Sequence, residues 1–430
     1  MTIEAMNAPA PASARPLGLW SATALVVGTI IGSGVFLLPS ALAQYGGVSL
    51  IGWAITLTGA LALAATLARL AMRWPQTGGP YAFARNAFGD LSGFVVAWSY
   101  WICNWTSCAA IAVAFAGSLG AIFPGLVATP LRSAACALLA LWFCIAINLA
   151  GMREFGRAQI VLTALKILPL LVFGGIAIWF IDGSHYQPIN PSGESLPQAI
   201  NATAALTVWS LLGLEMATVP AASIKDPERT IPRATVLGTL LAGIASVLAV
   251  SAVIGIVPMA QLQISTAPMA DAARLLWGSW AGLGIAMIAA ISCLGALNSS
   301  VMAAAQVALA AADDRLLPAF FARKDARGTL TPSILLVGVL ATLLVCTNFS
   351  KSLVQMFTFV ILLATAATLV PYIASSAAWL KSGRGGRTAA FIALAFSLYA
   401  LIGTGKEALL WGGALLLAGL PVYTWMRRKP

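Results

Sequence analysis

Two ionisable side chains, Glu215 and Lys166, lie deep inside long apolar segments of the chain. Glu215 is ten positions before Lys225, or about 15 Å along a helix, and Lys166 is nine positions after Arg157, or about 13 Å. If these segments cross a membrane, a charge near the bilayer centre costs at least ~2.5–3.5 kcal/mol on insertion scales. We interpret both residues as candidate proton-coupling or amine-binding groups, and an ion pair between them is the structural alternative.

A helix-breaking sequence lies in the middle of the first apolar segment. Residues 28–47 read GTIIGSGVFLLPSALAQYGG, and Gly32, Ser33, Gly34 and Pro39 interrupt the apolar run. Glycine and proline are the poorest helix formers, and unwound backbone in a bilayer survives only where it is buried in protein or lines a cavity. The N–H groups that start the next half-helix suit an anion such as a carboxylate. Close packing of helices through small residues is the alternative.

A second interruption occurs in the sixth apolar segment. Residues 205–223 read ALTVWSLLGLEMATVPAAS, in which Gly213 and Pro220 break the helical pattern on either side of Glu215. Two interrupted spans at corresponding positions of two halves indicate a transporter built from inverted repeats, with its substrate near the membrane midplane. The elements predicted to position the chemistry are therefore two broken helices.

The composition requires a membrane protein with many spans. Of the 430 residues, 60% are hydrophobic and 9% are charged, whereas soluble domains carry about 25% charge. A span needs about 20 apolar residues, and twelve apolar segments are candidates, of which the ninth is the shortest. The predicted all-α fold has spans at residues 17–44, 48–70, 91–121, 131–150, 157–181, 199–222, 232–257, 280–311, 333–347, 353–379, 387–403 and 408–426.

The basic residues predict the orientation of these spans. With the N-terminus in the cytoplasm, 19 of the 24 Lys and Arg residues fall in inner segments and four in outer ones. Cytoplasmic loops carry such an excess, so both termini are predicted to be cytoplasmic, in the plasma (inner) membrane. The net charge of +11 then reflects topology and does not indicate nucleic-acid binding.

The spans divide the chain into predicted units. A disordered cytoplasmic tail (1–16) precedes a first repeat of helices 1–5 (17–181) and a second repeat of helices 6–10 (199–379), followed by helices 11–12 (387–426) and a tail (427–430). No phosphate-binding loop, zinc spacing or nucleophile elbow occurs, and the six cysteines lie singly in apolar stretches. We therefore predict no enzyme activity, cofactor or metal. A lipid-modifying enzyme would need clustered catalytic residues, and a channel would need a continuous polar stripe.

Five motifs, spread over residues 17–426, resemble those of a known transporter family. They are GTIIGSGVFLLPSAL at 28–42, TGGPYAFARNAFG at 77–89, TVWSLLGLEMATV at 207–219, IKDPERTIPRA at 224–234 and AAADDRLLPAFFAR at 310–323. The chain resembles the amino acid–polyamine–organocation transporters, and within them the basic amino acid/polyamine antiporters, such as the arginine/agmatine and putrescine/ornithine exchangers. The resemblance implies two inverted five-helix repeats with helices 1 and 6 broken, two extra helices and a possible homodimer.

The resemblance also implies a binding site. The substrate carboxylate is expected at Ser33 and Gly34, and its α-amino group at the carbonyl side of Ile30. Trp209 is expected to pack on the substrate side chain, with an apolar or backbone contact from Leu212.

Further residues carry expected roles in coupling and gating. The sixth-helix glutamate linked to pH response or amine binding corresponds to Glu215, and the tyrosine near the cytoplasmic gate to Tyr100. Thr29 stands where arginine/agmatine exchangers have asparagine, and Ser300 where they have tryptophan, so both substrate-site positions argue against that exchange. Lys166 matches a fifth-helix lysine that replaces sodium in some members, which suggests sodium-independent transport.

These observations predict a secondary active transporter that exchanges basic amino acids or polyamines by alternating access. Its expected partners are a small-molecule substrate and the lipid bilayer, with no nucleic acid, and the resemblance implies a second copy of the chain as a further partner. The alternative is a proton-coupled symporter or an exchanger of neutral amino acids, which the missing aromatic residue at Ser300 favours.

Overall fold

A computed structural model describes residues 18–32, 34–74, 78–150, 170–218, 224–326, 328–347, 350–383 and 385–428. Two predicted site residues, Ser33 and Lys166, lie outside the described residues, as does Pro220. The described residues form helices joined by turns. In chain order the helices are α1 (Leu19–Ile30), α2 (Gly34–Ala43), α3 (Val48–Arg73), α4 (Pro80–Phe88), α5 (Asp90–Ile122), α6 (Pro130–Leu149), α7 (Leu170–Phe180), α8 (Leu196–Val208), α9 (Pro227–Ile256), α10 (Met259–Leu262), α11 (Pro268–Trp277), α12 (Ser279–Asp313), α13 (Thr331–Thr347), α14 (Leu353–Ser382), α15 (Arg387–Gly403), α16 (Gly405–Leu417) and α17 (Gly419–Arg427).

Many of these helices are suited to a membrane. Within the described part of the chain, eight helical segments are long and apolar enough to cross a bilayer, and the bent pair α1–α2 adds a ninth. Three shorter apolar helices, α7, α13 and α15, coincide with the fifth, ninth and eleventh predicted spans. The chain is therefore an integral membrane protein with an all-helical fold.

The predicted interruption of the first span is observed. The helix α1 ends at Ile30, where the N–H of Ile31 donates to the Val27 carbonyl at 2.9 Å, and α2 begins at Gly34. The two helices meet at an angle of 40°. The prediction that Pro39 also interrupts the span is wrong, because α2 continues through it to Ala43. Every residue of α2 is buried, so the broken backbone is enclosed by protein, as unwound backbone in a membrane must be.

The sixth span is interrupted as well. After α8 ends at Val208, the chain tightens into a 3₁₀ turn over Trp209–Leu211, and Leu212 becomes extended with φ −64° and ψ 139°. Gly213 follows at φ 100°, a left-handed conformation that glycine adopts at little cost because it lacks a Cβ. A second 3₁₀ turn, Leu214–Ala217, carries Glu215.

Two parts of the fold share one local geometry. A short helix with proline in its first turn leads through a glycine into a long helix, first at Gly89 between α4 and α5 and again at Gly278 between α11 and α12. The backbone angles are φ 88°, ψ −176° at Gly89 and φ 88°, ψ −178° at Gly278.

The packing beside these two corners is also repeated. A Cβ built on Gly93 would lie 2.9 Å from the Cβ of Arg85, and one built on Gly282 would lie 3.0 Å from the Cβ of Arg274. In both places the long helix therefore folds back closely on the short one, and only a glycine fits at the contact.

The long helices α5 and α12 pack against each other in opposite directions. At one end, the Tyr81 hydroxyl on α4 donates to Asp314, which follows α12. At the other end, Gly117 near the end of α5 approaches the carbonyl of Thr266, just before α11. Each short helix thus lies at the start of its own long helix and at the end of the other, which makes α5 and α12 antiparallel.

Candidate functional site

The two interruptions face each other. A Cβ built on Gly213 would lie 2.5 Å from Cγ2 of Thr29, and one built on Gly34 would lie 2.8 Å from Oγ of Ser210 and 2.8 Å from Cδ1 of Trp209. Distances this short leave no room for a side chain at either glycine. The glycines of both breaks are therefore required by a close approach between the first and sixth spans.

The predicted residues of the first break lie at this contact. The hydroxyl of Thr29 donates a hydrogen bond to the Leu25 carbonyl of the same helix at 2.8 Å. The methyl group of Thr29 faces Gly213. Ile30 is buried at the end of α1. The last carbonyls of α1 and the first N–H groups of α2 lack intrahelical partners, as at every helix end, and the break places both sets together.

Trp209 lies on the second break. Its ring packs edge-on against Phe357 of α14, with centroids 6.5 Å apart and an interplanar angle of 90°. The side chain is buried, and its Nε1 has no hydrogen-bond partner among the described residues. Leu212, three residues on, is half-buried. Phe357 could not be selected from the sequence, because its place beside Trp209 depends on tertiary packing.

Glu215 is held by two phenols. Its Oε1 accepts a hydrogen bond from Tyr100 of α5 at 2.5 Å, and its Oε2 accepts one from Tyr372 of α14 at 2.8 Å. The residue is only 1% exposed. A carboxyl oxygen accepts hydrogen bonds and a phenol can donate one, so both oxygens of this buried side chain have a partner.

No described basic side chain forms an ion pair with Glu215. The alternative partner, Lys166, lies outside the described residues. Tyr372 was not selected from the sequence, although a signal exists, because it follows Pro371 in the middle of an apolar span. Such a pair places a tyrosine hydroxyl in the middle of the span, next to a proline that removes one backbone hydrogen bond of the helix.

Hydrogen bonds between α5 and α14 fix the two phenols. Ser99 donates its hydroxyl to the Ala367 carbonyl at 2.6 Å, and Thr368 donates to the sulfur of Cys103. Ser99 and Cys103 lie within one helical turn of Tyr100, and Thr368 lies about one turn before Tyr372. The third and tenth spans are therefore joined along the stretch that carries the phenols.

Ser300 lies on α12, which passes the first break. A Cβ built on Gly32 would lie 3.5 Å from Cβ of Ala296, and Ser300 is one turn further along the same face of the helix. Ser300 is half-buried. The position is therefore near the first break, and its small side chain leaves space there.

A polar cluster joins α4, α5 and α12 at one end of the long helices. Arg85 donates through Nε to Asp90 and through Nη1 to Asp314, both at 2.9 Å. Burial and the hydrogen bond to Asp314 raise the pKa of Tyr81 above its ordinary value, so its phenol stays a donor. Among the described residues, no group of three or more His, Cys, Asp or Glu side chains could hold a metal ion.

Two membrane helices broken at facing points, with a buried carboxylate beside the break, define a class of protein. Discontinuous helices in transporters place their ends around a substrate near the midplane, and irregular backbone at membrane depth is tolerated there. These features are those of a secondary transporter.

Comparison with known proteins supports the assignment to transporters. The chain belongs to the amino acid permease family, whose model matches residues 17–412. It is 29% identical over 429 residues to the putrescine transporter PotE of Haemophilus influenzae, covering 97% of this chain and 98% of that one. It is 32% identical over 336 residues to the cadaverine/lysine antiporter of Escherichia coli K12, covering 77% and 74%. PotE of E. coli K12 is 28% identical over 426 residues, covering 96% of each chain.

These relatives are transporters, and this chain is a membrane transporter and not an enzyme. The family resemblance inferred from the motifs at 28–42 and 207–219 is confirmed.

Proposed function

We propose that the protein is an antiporter that exchanges a basic amino acid for a diamine by alternating access. The observation that carries the proposal is the buried carboxylate of Glu215, held by Tyr100 and Tyr372 beside two facing helix breaks. Both cargo types carry an ammonium group, for which a buried carboxylate is a matched acceptor. The names of the relatives, a putrescine transporter and a cadaverine/lysine antiporter, support this substrate class.

The carboxylate of the amino acid binds at the start of α2. The N–H group of Gly34, which begins that helix, lies at its positive end, and the adjacent Ser33 is the second proposed contact. Backbone donors suit this task because the close approach of Gly34 to Trp209 and Ser210 leaves no space for a side chain at Gly34.

The amino groups bind at the acceptors of the two breaks. The α-amino group meets the carbonyl of Ile30 and those freed between Trp209 and Leu212, where the chain leaves α-helical geometry. The distal ammonium is matched by Glu215 or lies over the face of Trp209, a cation–π contact. Glu215 also carries the proton that couples transport to pH, with Lys166 as a second coupling group.

The architecture is proposed to be two inverted five-helix repeats with two extra helices. Support comes from the matched corners at Gly89 and Gly278 and from the antiparallel packing of α5 on α12. The eight spanning segments, the bent pair and the three shorter apolar helices together account for twelve spans. The distribution of basic residues supports cytoplasmic termini in the inner membrane.

This layout supports transport by alternating access. Trp209, Ile30 and Glu215 are buried, so the proposed site is enclosed by protein. Rocking of the elements that carry the breaks against the joined pair α5–α14 would open it to one side at a time. Opening must separate Glu215 from at least one phenol, because Tyr100 and Tyr372 belong to the joined pair while Glu215 belongs to the sixth span.

The test is counterflow into liposomes that contain the purified protein. Vesicles loaded with cadaverine or putrescine should take up labelled lysine or ornithine, and empty vesicles should not. Uptake that needs no internal diamine and follows a proton gradient would favour the symporter. Absence of counterflow with every amino acid and polyamine tested would refute the proposal.

A further inference from the structure

Two polar atoms meet at the first break without partners. The hydroxyl of Ser210 and the indole Nε1 of Trp209 are buried and have no hydrogen-bond partner among the described residues. Both lie against Gly34, since a Cβ built there would be 2.8 Å from Ser210 Oγ and 3.1 Å from Trp209 Nε1. The sixth span thus presents two side-chain donors to the beginning of α2.

Ser210 has no evident structural task. It is fully buried, and its neighbours in the sixth span, Thr203 and Thr207, each donate to a carbonyl of their own helix at 2.8–3.0 Å, whereas Ser210 does not. A buried polar group is normally hydrogen-bonded, because leaving it unpaired is unfavourable. A ligand that accepts a hydrogen bond at Gly34 would satisfy it.

The position of the hydroxyl defines the ligand group. The ten-residue helix α2 begins at Gly34, so its first N–H groups and the two side-chain donors converge on one small region. The backbone N–H groups and the indole Nε1 only donate hydrogen bonds, and the Ser210 hydroxyl can donate as well, so a carboxylate, which only accepts them, matches the whole set. A diamine offers only ammonium groups, which donate, so it can pair with the hydroxyl oxygen of Ser210 but with none of the N–H groups.

We propose that Ser210 is a specificity-determining residue that distinguishes the amino acid from the diamine by binding the carboxylate. This inference rests on the proposed exchange of the two cargo types and adds a residue that senses the one group by which they differ. Lysine and cadaverine share a five-carbon chain and two amino groups, and only lysine has the carboxylate. The indole Nε1 of Trp209 is the second donor to the same group.

The experiment compares lysine with two analogues. Lysinamide replaces the carboxylate by a neutral amide of similar size, and cadaverine lacks it. Binding of each compound is measured in the wild type and in Ser210→Ala by competition with labelled lysine in proteoliposomes. In the variant, the preference for lysine over lysinamide should fall about tenfold or more, as expected for loss of a hydrogen bond to a charged group. Cadaverine should bind within about twofold of the wild type.

A matched control removes a comparable hydroxyl elsewhere. Ser333 of α13 is also fully buried with an unpartnered hydroxyl, and α13 packs away from the two breaks. Ser333→Ala should leave the preference for lysine unchanged. The preference is a ratio within one protein, so it does not depend on how much of each variant is folded.

Several outcomes would overturn the inference. An unchanged preference in Ser210→Ala, or equal losses for lysine and cadaverine, would show that the hydroxyl does not read the carboxylate. Equal affinity of the wild type for lysine and lysinamide would overturn it without any variant. Absence of all exchange by the wild type would instead refute the proposed function, so the two failures are distinguishable.

Discussion

The hydroxyl of Tyr372 donates to Oε2 of Glu215 at 2.8 Å and joins two residues that are 157 positions apart. With the bond from Tyr100 to Oε1, it gives a carboxylate inside the membrane two donors from helices other than its own. This satisfies a group whose burial without partners would be strongly unfavourable. It also ties the sixth span to the tenth in the closed site.

Tyr372→Phe should weaken diamine binding while the protein stays folded. The variant keeps the ring and removes one of the two donors to Glu215, and a hydrogen bond to a charged group contributes about 1.5–3 kcal/mol. We expect the KM for cadaverine to rise by about tenfold or more in counterflow assays. Tyr399→Phe, on the half-buried face of α15, is the control and should behave like the wild type. Equal effects of the two substitutions would contradict this role.

Glu215→Gln should remove the preference for basic cargo. The amide retains the shape of the side chain but loses the charge, and it also donates a hydrogen bond where two phenols donate already. We expect cadaverine and lysine to lose affinity, and the pH dependence of exchange to flatten. The measurement is exchange at a series of pH values on both sides of the vesicle. Wild-type substrate preference together with a wild-type pH profile would leave Glu215 with a structural role only.

Gly213→Ala should destabilise the protein. Alanine at φ 100° is strained, by about 1–3 kcal/mol for such conformations, and its Cβ would lie 2.5 Å from Cγ2 of Thr29. The midpoint of thermal unfolding in detergent should fall, and transport should fall with it because the two breaks are forced apart. Gly284→Ala on α12 has no neighbour within 4 Å of the new Cβ and should unfold at or above the wild-type temperature. An unchanged midpoint of thermal unfolding for Gly213→Ala would show that the backbone at the two breaks can move to accept the methyl group.

Ser300→Trp should improve recognition of a guanidinium. The small side chain at Ser300 leaves space near the first break, and the arginine/agmatine exchangers that the chain resembles have an aromatic residue there. We expect arginine to compete poorly with labelled lysine in the wild type and several-fold better in the variant, because an indole face attracts a guanidinium. Ser299→Trp, one position round the helix, is the control. Equal competition by arginine in all three proteins would show that the residue at position 300 does not affect the choice of substrate.

The sequence was sufficient for the elements that depend on local chemistry. Glycine indicated the breaks in the first and sixth spans, because it weakens helices, whereas Pro39 lies inside the continuous helix α2 and makes no break. The helices α4 and α11 were not predicted. A signal for α4 existed, since Pro80 begins it and Gly89 ends it, but its nine residues are too few to form a span.

The contacts across the fold could not be read from the sequence. Glu215 was selected because a charge in an apolar segment is conspicuous, whereas its partner Tyr372 is unremarkable until α14 packs beside α5. Ser210 was not selected for the same reason, because the place of its hydroxyl depends on the approach of Gly34 from another helix. The likeness of the corners at Gly89 and Gly278 was also hidden, since it lies in backbone angles more than in residue identity.

The corner at Gly89 and the corner at Gly278 bend the backbone in the same way, on opposite ends of an antiparallel pair. The α5–α12 pair therefore has the same joint at each of its two ends. In the proposed exchanger, equivalent joints would let either face of the protein open by the same kind of movement. The net direction of the exchange would follow from the concentration gradients of the two cargoes, as thermodynamics requires of a transporter with no energy source of its own.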